Sequence, residues 1–189
     1  MGKKLTEMSL EELWQLFPIF LMEHQPLWKK QFDDEEKNII AALDGRPIRR
    51  ISHIGSTAIP GIWAKPIVDI LLEVPRETPL QAYADILADN GYLLMSQGKG
   101  RISLNKGYTE QGFAEDVFHL HLRYEGDKDE LYFRDYLLAH PDIAREYEKL
   151  KLSLWKRFEH DRDGYTEAKT DFIRKYTEIA KKEFEGIYS

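Results

Sequence analysis

The chain contains no cysteine. That absence removes a disulfide framework, a thiolate zinc site and a cysteine nucleophile, and leaves any metal to histidine, carboxylate and backbone oxygen. Long hydrophobic runs are missing too. The densest, Ile67 to Val74, is broken by Asp69 and Glu73 and is far too short to span a bilayer. Met1 to Trp14 carries two lysines with no apolar stretch behind them, which argues against a secretory signal and leaves the cytoplasm as the expected compartment. Basic charge is in deficit: 27 Lys and Arg face 33 Asp and Glu, a formal net charge of −6, and the cations form no stripe. Binding along a nucleic-acid backbone needs clustered cations, so a nucleic-acid partner has no support, whereas a small anion held by a few local cations does not need them. Linkers rich in Pro, Gly or Ser, low-complexity tracts and internal repeats are absent as well.

What is present suits one domain over residues 1–189. Hydrophobic residues make up 42% and charged residues 32%, enough for a core and a hydrated surface. Ser9-Leu10-Glu11-Glu12 is a capping-box pattern, and Leu10, Leu13, Leu16 and Phe17 recur at helical spacing until Pro18, which gives residues 1–17 as a helical extension. Pro18 to Met22 reads as extended. Trp28, Phe32, Ile39 and Leu43 form the stripe of a helix from Leu27 to Leu43, ended by Asp44-Gly45.

Three strands are expected next or soon after: Ile48 to Ile54, Pro66 to Val74, and Val117 to Tyr124. Thr78-Pro79 predicts the start of a helix that runs to Asn90, and Tyr92–Ser96 and Arg101–Asn105 predict a hairpin across Gln97-Gly98-Lys99-Gly100. In the third strand Phe118, Leu120 and Leu122 alternate with His119, His121 and Arg123. Residues 127–189 read as helical, with one stripe at Ile143, Tyr147, Leu150, Leu154 and Phe158 and another at Ala168, Phe172, Ile173, Tyr176 and Ile179. The fold class is α+β: a small mixed sheet packed by helices, with a C-terminal helical pair.

The chemistry concentrates in His53-Ile-Gly-Ser-Thr57 and the following Ala64-Lys-Pro-Ile-Val-Asp-Ile70. Gly55 lets the backbone turn tightly after a strand, and Ser56 and Thr57 offer hydroxyls where an anion is favoured; the Gly-Lys-Ser/Thr ending of a P-loop is absent. Read alone, such a segment is more often a turn with a capping hydroxyl. Asp69 changes that weighting, because a carboxylate inside an apolar strand needs a partner or a metal. Alternation puts Glu73 on its face but about 13 Å away at ~3.3 Å per residue, too far to share one ion. His119 and His121 face the same side of their strand, roughly 7 Å apart, a spacing at which two imidazoles converge on one metal or one phosphate. Lys65 and Arg101 are candidate anion contacts whose default is the solvated surface, and the same default holds for Lys169 in its polar stretch.

The run from His53 to Ile70, the His-Leu-His of residues 119–121 and the Tyr-Thr-x-Ala-Lys-x-x-Phe-Ile of residues 165–173 together resemble the GrpB family, in order and spacing, from about Pro18 to Ala180. That family is similar to the nucleotidyltransferase superfold, in which a Gly-Ser turn precedes a strand bearing two carboxylates one residue apart. The resemblance implies a sheet of the nucleotidyltransferase type. It also implies a phosphate or other ligand met by His53, Gly55, Ser56, Thr57, Lys65, Arg101 and Lys169. Asp69 would be the catalytic metal ligand, with His119 and His121 completing the set where the superfold often has a third carboxylate. The expected cofactor is a divalent metal, Mg²⁺ or Mn²⁺, with Zn²⁺ suited to the imidazoles. Leu71 stands where the second carboxylate would be, so three readings follow. One is a nucleotidyltransferase-like protein that binds a nucleotide or other phosphorylated ligand with a divalent metal. The others are a non-catalytic ligand-binding module of the same fold and a metal-dependent phosphohydrolase.

Overall fold

The computed structural model describes residues 3–188. After a 3-10 turn at Leu5–Glu7, helix α1 (Leu10–Leu16) opens on the expected capping box: Ser9 Oγ accepts from the Glu12 amide at 3.2 Å, and the Glu12 carboxylate accepts from the Ser9 amide at 2.8 Å. Phe17 then buries its ring beside Tyr108 and Phe113, which anchors this extension. Residues 18–22 join no sheet strand. They run extended, held by Ile19 N–H to Glu159 O, by Trp155 Nε1–H to Ile19 O, and by an isolated bridge between Met22 and Ala64.

Helix α2 (Leu27–Leu43) matches its stripe, with Trp28, Phe32, Ile39 and Leu43 all buried, and Asp44 ends it in the left-handed region at φ 45°. Strand β1 (Arg50–Ile54) and strand β2 (Val68–Val74) pair antiparallel, with a 3-10 turn (Ser56–Ala58) between them. Helix α3 (Leu80–Asp89) starts later than Thr78-Pro79 predicts. The Thr78 hydroxyl donates to the Pro75 carbonyl and caps no helical amide, and Pro79 is still extended. Strand β3 (Leu93–Gly98) and strand β4 (Arg101–Thr109) form the expected hairpin, tightened to a two-residue turn at Lys99-Gly100.

Strand β5 (Gly112–Tyr124) is longer than its alternating half suggests. Its first residues pair with the far end of β4 beyond an irregularity at Gly107. There φ is 90°, and a Cβ would fall 2.2 Å from the Asp116 carbonyl oxygen, so only glycine fits. The sheet order is β1-β2-β5-β4-β3, antiparallel except for the central β2–β5 pair.

One sheet face is the main core. Ile70, Leu72, Leu104, Leu120 and Leu122, all fully buried or nearly so, pack against α2 and α3. Each such aliphatic stabilises by about 1.5–3 kcal/mol. The other face carries Asp69, Leu71 and Glu73 beside His119, His121 and Arg123. Residues 127–188 cover it with helices α4 (Asp129–Ala139), α5 (Pro141–Trp155), α6 (Arg162–Glu167) and α7 (Thr170–Glu183). The two sequence stripes mark the long members, α5 and α7. Phe158 lies beyond the end of α5, and Ile179 points outward on α7, where Tyr176 and Ala180 are buried in its place.

Candidate functional site

Gly55 ends β1 with φ 73°, a conformation open to glycine. A Cβ there would lie 2.4 Å from Oδ2 of Asp69, so the missing side chain is what lets the turn close on the carboxylate. His53 and Thr57 fasten this turn from behind. The His53 imidazole stacks on Phe32 at 5.0 Å, on the core side of the sheet, and its Nε2 lies 2.9 Å from Thr57 Oγ1. The Thr57 hydroxyl in turn donates to the Ile67 carbonyl, so it must accept from the imidazole. Burial pushes the His53 pKa down to about 4, the nearby Asp69 charge opposing, and keeps the ring neutral. Both were expected as ligand contacts: Thr57 borders the cavity described below with its hydroxyl already bonded within the protein, whereas His53, its Nε2 likewise engaged, does not border it.

Parallel pairing sets Asp69 opposite His119 and Leu71 opposite His121. Asp69 Oδ1 lies 3.5 Å from His119 Nδ1 and 3.5 Å from His121 Nε2. Burial by itself would raise the carboxyl pKa, but hydrogen bonding and charge from the two imidazoles outweigh it and hold Asp69 well below the usual carboxylate range. His119 is lowered by burial, with Asp69 opposing. The far side of this ring fixes its tautomer. Arg162, which only donates, reaches the Tyr108 hydroxyl at 2.7 Å, and that hydroxyl is 2.7 Å from His119 Nε2. Arg162 also reaches Nε2 itself at 3.3 Å; facing a group that only donates, Nε2 accepts, Tyr108 donates to it, and the ring proton sits on Nδ1, facing Asp69. A protonated Nδ1 has no lone pair for a metal. Among the described residues, no group of three or more His, Cys, Asp and Glu side chains is arranged to hold a metal ion. Asp69, through the oxygen turned toward Gly55, and His121 are the donors that remain.

The position of the second superfold carboxylate is part of the core. Leu71 is fully buried against Ile54 and Leu131. Glu73, equally buried, faces Arg50 at 3.4 Å and is far along the strand from Asp69.

Beside Asp69 the chain builds a cavity of about 180 Å³, bordered by Gly55, Ser56, Lys65, Lys151, Lys169 and Tyr165. Lys65 and Lys169 sit over the Tyr165 ring, at 5.3 and 4.3 Å from its centre. Tyr165 is completely buried, and its hydroxyl has no hydrogen-bond partner. Lys151, 1% exposed, donates to the Trp63 carbonyl. Burial pushes all three amines down, Lys65 well below the usual lysine range, Lys151 to about 7 and Lys169 to about 8; the positive charge of Lys169 adds to the effect on the other two. Lys65 and Lys169 are thus where the sequence expected anion contacts. Arg101 is not: it lies at the far end of β4, mostly exposed, and pairs with Asp127. Lys151, Arg162, Tyr147 and Tyr165 were not expected. Lys151 carries one signal that could have found it, since it stands one helical turn from Tyr147 on the buried stripe of α5.

A second, larger cavity of about 430 Å³ lies between the sheet and helices α4 and α7. It shares Gly55, Ser56, Asp69 and Tyr147 with the lysine cavity. Its walls include Ile54, Ile59, Phe133, Leu137 and Ile173, with Thr166, Thr170 and Thr177 spaced along one side. Burial raises the Tyr147 hydroxyl pKa despite a hydrogen bond with Ser56, so the phenol stays neutral where the chambers meet.

A mixed sheet covered on both faces, with a glycine turn closing on a strand carboxylate beside one buried and two half-buried lysines, defines an α+β domain with a cation-lined cleft. The chain belongs to the GrpB family, whose model, described as GrpB protein, matches residues 18–179. The glutamate-rich protein GrpB of Alkalihalophilus pseudofirmus is 35% identical over 82% of this chain and 91% of its own length. The UPF0157 protein YqkA of Bacillus subtilis is 32% identical over 95% of this chain, which spans about half of that relative (53%). The crystal structure of the conserved protein GrpB from Enterococcus faecalis superposes with a TM-score of 0.75 at 29% identity, covering 87% of this chain and 99% of that one. A weaker likeness to the Cid1 poly(U) polymerase, at a TM-score of 0.48 and 8% identity, is too distant to bear on function.

Proposed function

We propose that this GrpB-family chain is a nucleotidyltransferase-like protein that binds a nucleotide or other small phosphorylated ligand, with the phosphate received beside the Gly55-Ser56 turn. The observation that carries the reading is the lysine cavity. Three lysines, Lys151 buried and Lys65 and Lys169 half-buried, and a tyrosine with an unpartnered hydroxyl border about 180 Å³ with one carboxylate, and an anion is the guest that satisfies them together. In this reading Ser56, Lys65, Lys151 and Lys169 contact phosphate. A divalent cation would arrive with a polyphosphate, held by its oxygens and by Asp69, because Mg²⁺ is commonly bound through one or two carboxylates plus substrate phosphates. Its chemistry would be to offset charge on the transferring group. His119 orients Asp69, and Tyr108 and Arg162 orient His119.

The non-catalytic alternative draws on one observation: the site offers a single carboxylate, Leu71 being core and Glu73 remote. The phosphohydrolase alternative needs His119 as a metal ligand, and the proton on its Nδ1 opposes that.

Calorimetric titration with ATP, GTP, CTP and UTP, with and without Mg²⁺ or Mn²⁺, tests the proposal, followed by Lys169→Gln and Asp69→Asn. Binding weakened at least tenfold by Lys169→Gln, and made metal-independent by Asp69→Asn, is the expected result. Binding indifferent to Lys169, or none with these nucleotides, their monophosphates or inorganic phosphate, overturns it. Pyrophosphate release with a binding nucleotide separates the transferase from the module.

A further inference from the structure

Resting on the phosphate reading above, we infer that the ligand of this cleft is a phosphomonoester with an uncharged, nucleoside-sized body. The phosphoryl group fills the lysine cavity, and the body lies between α4 and α7.

Two properties of the cleft lead there. The first is charge. Once an arriving anion has drawn protons onto their amines, Lys65, Lys151 and Lys169 bring three positive charges to the smaller cavity and Asp69 removes one. The remainder matches a phosphomonoester, which carries about −1.5 to −2 at neutral pH. A triphosphate without a divalent cation would overfill it. The second is shape. At about 180 Å³ the lysine cavity falls below the ~300 Å³ at which pockets begin to take whole organic ligands, so it suits a single group. The adjoining cavity, at about 430 Å³, lies inside that range. Ser56 and Tyr147 stand where the two meet, which places the ester oxygen at their hydroxyls.

The character of the larger cavity sets the body. Ile54, Phe133, Leu137 and Ile173 give it apolar walls. The charged groups at its edge are already matched: Glu130 pairs with Arg123, Asp129 and Glu178 pair with Lys181, Arg134 pairs with Asp135, and Arg174 pairs with Asp171. A charged body would therefore find no free counterion among these groups. Thr170 and Thr177 donate their hydroxyl protons to the carbonyls of Thr166 and Ile173, which leaves their oxygens free to accept from a ligand. An uncharged, flat, apolar body with N–H or O–H groups along one edge fits this wall.

The test uses the full chain in EDTA. It compares inorganic phosphate with the four common nucleoside 5′-monophosphates and with their parent nucleosides by calorimetry. At least one monophosphate should bind tenfold or more tighter than inorganic phosphate, and its nucleoside should compete with it while leaving phosphate binding alone. Thr170→Trp, which plugs the larger cavity, should return that monophosphate to the affinity of inorganic phosphate without weakening phosphate itself. An unchanged melting temperature of that variant shows that the fold is kept, and the nucleoside competition gives the answer independently of it. If every monophosphate binds no better than inorganic phosphate, or if only nucleoside triphosphates bind, the inference is overturned while the phosphate reading stands. If no phosphate-bearing compound binds, the phosphate reading fails, and the inference with it.

Discussion

A Cβ on residue 55 would sit 2.4 Å from the carboxylate of Asp69, so the turn and the acid occupy positions that only glycine reconciles. Gly55→Ala meets two penalties, that clash and a φ of 73°. A loss of about 1–3 kcal/mol in unfolding free energy is expected, together with loss of ligand binding as Asp69 is displaced. Denaturant unfolding of the variant checks the first, and calorimetry the second. A fully stable Gly55→Ala protein that binds normally would show that the close approach is dispensable.

Tyr165 offers an opposite pairing of effects. Its hydroxyl is buried without a partner, so Tyr165→Phe should leave the free protein as stable or make it more so, by up to about 1–3 kcal/mol. The same change should weaken phosphate binding. A variant that loses stability and keeps affinity contradicts the role given to this hydroxyl.

His53 makes stability depend on pH. The folded state keeps it neutral down to about pH 4, whereas an unfolded chain protonates it near 6.5. The unfolded state therefore binds more protons between those values, and stability must fall as pH is lowered through that window. The full effect is on the order of 3 kcal/mol. His119, also lowered by burial, acts in the same direction. Urea melts at pH 7, 5.5 and 4.5 should show the decline, and His53→Gln should flatten it relative to the parent.

Lys151 and Lys169 predict proton uptake on binding. In the free protein their amines titrate near 7 and 8, so at pH 8 both are substantially neutral. An arriving dianion favours the charged form and draws protons from the buffer. Calorimetry at pH 8 in HEPES and in Tris should give heats that differ by the buffers' ionisation enthalpies, multiplied by about one proton. Equal heats in the two buffers would mean that the lysines do not respond to the ligand.

Much of the scaffold is legible in the chain. Helix α2 declares itself because its stripe faces a core and Asp44 takes the left-handed stop. The histidine half of β5 does so because its two faces meet different environments. The first half of β5 does not: residues 114–116 are exposed at the end of a hairpin, and no burial imposes alternation there. Site membership divides along a similar line. Gly55, Ser56 and Asp69 lie close together in sequence and could be read as a unit. Lys151 and Arg162 join them only through the packing of α5 and α6. Nothing in the spacing of residues distinguishes Arg162, which reaches His119, from Arg101, which pairs with a surface aspartate. That difference is made by the packing of α6, which carries Arg162 to the site end of β5, while Arg101 stands at the opposite end of β4.

The parallel pairing of β2 with β5 has a consequence for when the site comes into being. A parallel pair cannot be closed by a short turn, and here the intervening chain supplies α3, β3 and β4 before β5 can dock. Asp69 meets its two imidazoles only after that long closure, among the contacts whose entropy cost is met late in folding. The helices that carry Lys151, Arg162 and Lys169 lie later still in the chain. A fragment that ends before β5 lacks both imidazoles, and one that ends before α5 lacks Lys151, Arg162 and Lys169. Ligand protection against hydrogen exchange should therefore extend through the central strands and the C-terminal helices together, rising and falling as one unit.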